Sequence, residues 1–135
     1  MTLEDLKTEA QNIQYILESE IPDEINATIE HAKQLAVFHA RSGKMLADAK
    51  MIYRNKKASE IAEIIIKIAK ENFLSAKAQN ALVEAIAQQE AYVVEWLERI
   101  NSNCVHQLDL CRTIISKIKA EMQMSNIPQT TVYAC

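Results

Sequence analysis

His31, His39 and His106, with Cys104, Cys111 and Cys135, are the residues of this chain with the widest chemical repertoire. A cysteine beside a histidine can act as a nucleophilic thiolate, and histidines that converge with a carboxylate can hold zinc. The spacing here supports neither. His31 and His39 stand eight residues apart, two helical turns, too far to share a metal without ligands from elsewhere. Cys104 and Cys111 lie on one predicted helix, roughly 10 Å apart at helical rise, beyond disulfide reach. Pairing either thiol with His106 needs a geometry that near neighbours on one helix do not supply. On an apolar seam the two cysteines behave as small hydrophobes. A single glycine, Gly43, excludes a glycine-rich phosphate loop. The G-x-S-x-G and H-E-x-x-H patterns and the Glu-x-x-His pairs of di-iron bundles do not occur. The reading is of a protein that is not an enzyme and uses no metal and no cofactor.

Binding chemistry is better represented. Residues 1–30 hold eight acids and one base, whereas residues 31–57 hold seven bases and one acid. The basic block, His39 to Lys57, contains the candidate ligand residues His39, Arg41, Lys44, Lys50 and Arg54. It either cancels the acidic first helix or offers an open surface to an anion. Lys50, Arg54 and Lys57 share one helical face and Arg41 and Lys44 another, so the block is not one stripe. The chain carries a net charge of −3 and none of the usual nucleic-acid modules, and Tyr53 is the block's only tyrosine or tryptophan. A second polar set interrupts the last predicted helix. Its members His106, Asp109 and Arg112 are three apart in turn and can form a ladder along one flank. That ladder either fixes helix register or, with Arg99, faces a ligand. Reversing Arg41 and Lys44 to glutamate is expected to abolish any anion binding by the block.

The elements that must position these residues are all helices. One glycine and two prolines are too few for a sheet protein rich in turns, and Ala, Leu, Ile, Glu, Lys and Gln fill the intervals. Thr2 caps a helix whose stripe runs Leu3, Leu6, Ala10, Ile13, Leu17. Pro22 is expected in the first turn of a second helix running to about Asn55. Its seam is Ile25, Thr28, Ala32, Leu35, His39, Ser42, Leu46, Ala49, Tyr53, small and polar in the middle. There Gly43 suggests either a close helix crossing or a small polar pocket. Residues 55–59 read as a linker with Ser59 as cap, and Ile61, Ile64, Ile65, Ile68 and Ala69 as the buried stripe of a third helix. Ser75 caps a fourth helix. A long fifth, about Gln88 to Met124, buries a seam that includes Trp96, Leu97, Ile100, Cys104, Cys111, Ile118 and Met122. No apolar run is long enough to span a bilayer and no signal-peptide pattern opens the chain. With free thiols, this places the protein in a cytoplasm. The expected architecture is an all-α, elongated bundle of four to five helices, two of them long, forming a homo-oligomer. Residues 1–124 make the bundle domain and 125–135 a flexible tail.

The segment Asn72 to Met122, together with Ser42 to Lys50, resembles small helical proteins encoded by bacterial viruses and prophages. The matching features are Leu46-Ala47-Asp48-Ala49-Lys50, the helix around Trp96, and His106-Gln107-Leu108-Asp109 followed by Arg112 and Ile115-Ser116-Lys117. The resemblance implies a phage accessory protein in the cytoplasm of a bacterial host and carries over no catalytic residue. The expected work is non-catalytic binding of a host or viral protein, as in a counter-defence inhibitor. One alternative is sequestration of an anionic nucleotide signal by Arg41, Lys44, Lys50, Arg54, His39, Arg99, His106 and Arg112. Another is nucleic-acid binding during phage replication or recombination.

Overall fold

The computed structural model describes residues 1–125. They form five helices: α1 (Leu3–Leu17), α2 (Ile25–Lys57), α3 (Glu60–Glu71), α4 (Ala76–Ile86) and α5 (Gln88–Ser125). The expected tail falls outside the described residues, except that Ser125 closes α5. None of the five helices is long and apolar enough to cross a membrane.

Two long helices dominate. The 33 residues of α2 and 38 of α5 span about 50 and 57 Å at 1.5 Å per residue. They pack along one another in antiparallel fashion: Asn101 on α5 meets the His39 carbonyl on α2, while Lys50 further along α2 meets Glu98 earlier on α5. The short α1 lies in the groove they leave. Trp96 Nε1 donates to Gln14 Oε1 at 3.1 Å and Gln107 Nε2 donates to the Leu17 carbonyl at 2.6 Å, so α1 runs the same way as α5.

Local sequence explains each start. Thr2 and Asp5 form a reciprocal capping box, each side chain bonded to the other's backbone N–H at 3.0–3.1 Å. Ser59 and Ser75 cap α3 and α4 in the same sense, from the hydroxyl alone. The start of α2 differs from expectation. Glu24 is the N-cap, its carboxylate accepting from Asn26 and Ala27 N–H, and Pro22 lies before the helix. Pro22 still contributes, because its carbonyl accepts the Thr28 hydroxyl at 2.7 Å. At the other end α2 continues through Lys57, so Asn55, Lys56 and Lys57 are helical and the link to α3 is two residues long. Three basic side chains in the last turn sit against the negative end of the α2 dipole, which favours that extension.

The core is the α1–α2–α5 seam: Leu6, Ala10, Ile13 and Leu17 from α1, Leu35, Met45 and Ala49 from α2, and Val93, Leu97, Ile100, Cys104 and Cys111 from α5. Two polar side chains, Thr28 and Ser42, are wholly enclosed with them. Ser42 Oγ donates to the His39 carbonyl at 3.1 Å and accepts from Asn101 Nδ2 at 3.0 Å. Asn101 Nδ2 also reaches the His39 carbonyl at 3.0 Å. This short network is why the middle of the α2 seam is small and polar.

Gly43 neighbours the network without being required by it. A Cβ at Gly43 would lie 3.7 Å from Asn101 Nδ2, an ordinary contact. The crossing is therefore no closer than alanine allows. Gly43→Ala is expected to stabilise the fold by about 0.5–1 kcal/mol, by removing a glycine's helical entropy penalty. A shift of the urea midpoint to higher concentration checks it.

The lower part of α5 is less covered than its seam suggests. Ile114, Ile115 and Ile118 are half-buried and Met122 is exposed. Counting back from the Asn101–His39 contact puts Ile25 opposite about residue 115, so roughly the last ten residues of α5 run past the start of α2.

Candidate functional site

The eight candidate ligand residues do not converge. Arg41 faces α1, where its guanidinium holds both carboxylate oxygens of Glu9, one of them at 2.9 Å. That contact keeps the Glu9 carboxyl below its ordinary range. Lys44 is taken by Asp48 at 2.7 Å, Lys50 approaches Glu98 at 3.9 Å, and Arg112 approaches Asp109 at 3.7 Å. Arg54, on the same face of α2 as Lys50, is exposed. His39 is half-buried, with Nδ1 enclosed and without a hydrogen-bond partner. Of the basic block only Arg41 meets an acid of the first helix; Lys44 pairs within α2 and Lys50 with α5. Arg41→Glu would therefore also break the α1–α2 ion pair and is not a clean probe of anion binding.

Arg99 and His106 do share a concavity. They line an open groove of about 670 Å³ between α2 and α5, with Tyr53, Glu95, Glu98 and Asn103. Arg99 Nη2 is 3.4 Å from Glu95 Oε1. Glu95 and Glu98 offset Arg99 and the adjacent Lys50, so the groove has no excess of positive charge for an anion. The expected ladder is present only between Asp109 and Arg112, and all three of its members are exposed. The register-fixing contacts are made by neighbours instead: Asn101 to α2 and Gln107 to α1.

Burial pushes the Cys104 and Cys111 thiols up from their ordinary range, which disfavours the thiolate needed for nucleophilic attack. Among the described residues no group of three or more His, Cys, Asp or Glu side chains is placed to hold a metal ion.

The feature that stands out is the α3–α4 hairpin. It is fastened to the bundle by a polar clasp, in which Glu84 of α4 accepts from the Tyr53 hydroxyl and from Lys57 Nζ at 2.6 Å, both on α2. Lys57 also lies 4.9 Å from the centre of the Tyr53 ring. Helix α3 carries three stripes. Ala62 and Ala69 are buried, with Ile65 and Ile66 half-buried beside them, and this side faces α4. Glu60, Glu63, Lys67 and Lys70 make a charged stripe. Ile61, Ile64 and Ile68, spaced three and four apart, make a third stripe that is 55%, 57% and 52% exposed.

This overturns the expected burial of Ile61, Ile64 and Ile68. Alanines let α3 approach α4 closely, so the larger isoleucines on the adjoining stripe are left facing water. A stripe of three branched aliphatics at helical spacing is more than the scattered apolar exposure normal on a surface.

Phe73, at the hairpin tip, adds to it. Its φ is +56°, the left-handed region, and its side chain is 96% exposed. The chain turns there through paired bonds, Phe73 N–H to the Lys70 carbonyl and Leu74 N–H to the Ala69 carbonyl, both at 3.0 Å. This helix ending usually carries glycine at the position Phe73 holds, because a Cβ clashes in that conformation. Phe73→Gly is therefore expected to stabilise the isolated chain by about 1 kcal/mol despite losing a large aromatic side chain. Chemical denaturation of the two proteins checks it.

Sequence reasoning did not single out Asn101, Glu84 or Phe73. Asn101 carried a signal, since it lies four residues after Leu97 on the buried side. Glu84 carried none, because its partners are 27 and 31 residues away. No family model, curated protein or solved structure matches the chain.

Proposed function

We propose that the protein works by non-catalytic protein–protein docking, with the Ile61–Ile64–Ile68 stripe of α3 and the ring of Phe73 as its contact surface. The observation that carries this reading is the combination at one hairpin. An apolar stripe is left in water, and just past the end of the same helix an almost fully exposed aromatic is held in a backbone conformation unfavourable to it. Strain and exposure of that kind weaken the isolated chain, and a bound partner recovers the loss by covering the surface. A partner from host or virus rests on the resemblance alone.

The test is a pair of double variants of an affinity-tagged chain expressed in its native cells. Ile64→Glu with Ile68→Glu is expected to keep full helicity and a melting temperature close to the parent's, because both side chains are more than half exposed. The same variant is expected to lose the protein that the parent retains. Lys50→Ala with Arg54→Ala is expected to retain it. Retention by the first variant, or loss by the second, would remove the α3 stripe as the contact surface.

A further inference from the structure

The charges beside the α3 stripe indicate what covers it. Glu60 and Glu63 lie in the first turn and Lys67 and Lys70 in the second half. Among the described residues none of the four enters an ion pair within the chain. On a helical projection Glu60 and Lys67 fall together on the flank of the isoleucine stripe.

A helix with an apolar stripe and this charge order is complementary to itself in one orientation. Set antiparallel, the isoleucines of two copies interleave. Glu60 of each copy then faces Lys67 of the other, a contact made twice by symmetry. Set parallel about a two-fold axis, that flank faces the opposite flank of the partner's stripe, where α3 carries Ile65 and no charge, so neither ion pair is made. Helix α3 packs chiefly on α4 and hardly on the two long helices, which leaves its isoleucine stripe free of them.

We infer that the surface on α3 is occupied by a second copy of this chain, through antiparallel α3–α3 pairing about a two-fold axis. This rests on the docking reading above and names its partner. The acid-first, base-last order also suits the dipole of a single helix. The decisive test is therefore charge exchange, not simple loss of charge.

Sedimentation velocity over about 1–200 µM covers the range expected for a small helix–helix contact. The parent is expected to pass from monomer to dimer within it, and Ile64→Glu to stay monomeric with an unchanged circular dichroism spectrum. Glu60→Lys and Lys67→Glu are each expected to weaken the dimer about five- to tenfold, since each turns two attractions into repulsions. The chain carrying both changes is expected to recover the parent's affinity to within about twofold. An equimolar mixture of the two single variants is expected to form a heterodimer in preference to either homodimer.

A parent that stays monomeric throughout would overturn the inference, as would a dimer that survives Ile64→Glu or a double variant without recovery. The docking reading fails separately. If the monomer unfolds when Ile64 becomes glutamate, the stripe belongs to the fold and both readings fall. If a monomeric parent loses a different protein on that substitution, only the identity of the partner is wrong.

Discussion

Leu97→Ala lowers the unfolding free energy by about 3 kcal/mol and the melting temperature by roughly 10 °C. Leu97 is fully enclosed within the cluster shared by α1, α2 and α5. Truncation removes three buried carbons' worth of transfer energy and leaves a cavity that long, mutually braced helices close only in part. Total stabilities of single domains are about 5–15 kcal/mol, so this one change removes a large share. Leu110→Ala, on the same helix but 48% exposed, changes stability by less than about 0.5 kcal/mol. Urea denaturation of the three proteins measures both. Equal effects at the two positions would mean that the core does not lie where the burial pattern puts it.

Asn101→Ala costs about 2 kcal/mol, and its partner makes the test sharper. The Asn101 amide supplies donors to the His39 carbonyl and to Ser42 Oγ inside the α2–α5 seam. Deleting it leaves the buried Ser42 Oγ without its donor and the His39 carbonyl with the Ser42 hydroxyl as its remaining side-chain donor, which is more costly than the net value of the bonds themselves. If Ser42 is changed to alanine as well, one of those acceptors is gone. The double variant is then less destabilised than the two single losses combined. A double-mutant cycle by chemical denaturation yields the coupling, expected at about 1 kcal/mol. Strict additivity would mean that the two side chains do not share a bond.

Periodicity made most of the bundle legible. The α1 stripe, the caps at Thr2, Ser59 and Ser75, and the α5 seam through Cys111 all follow from spacing and short polar side chains. The opposed charge of residues 1–30 and 31–57 also reads through to a contact, Arg41 with Glu9. Spacing says which residues share a face but not what will cover it. On α3 two stripes were apolar enough to be buried. The choice fell to the one with alanines, because close approach to α4 depends on side-chain volume and not on hydropathy alone. Met45 in place of Leu46 as the fully enclosed residue of α2 is the same kind of outcome, decided by a small rotation of a long helix against two neighbours. Phe73 was opaque for another reason. A left-handed turn residue announces itself when it is glycine or asparagine, and here the turn uses neither at that position.

The clasp of Glu84 with Tyr53 and Lys57 has a consequence for how the molecule comes apart. Val83 is the one buried residue of α4, so the outer two helices are moored by little apolar burial and a solvent-facing polar clasp, whereas the inner three share a continuous greasy interior. Unfolding is therefore graded along the chain: residues 60 to 86 can open as one cooperative unit while the remainder keeps its protection. High salt, which screens an exposed carboxylate–ammonium pair, loosens that mooring without reaching the interior.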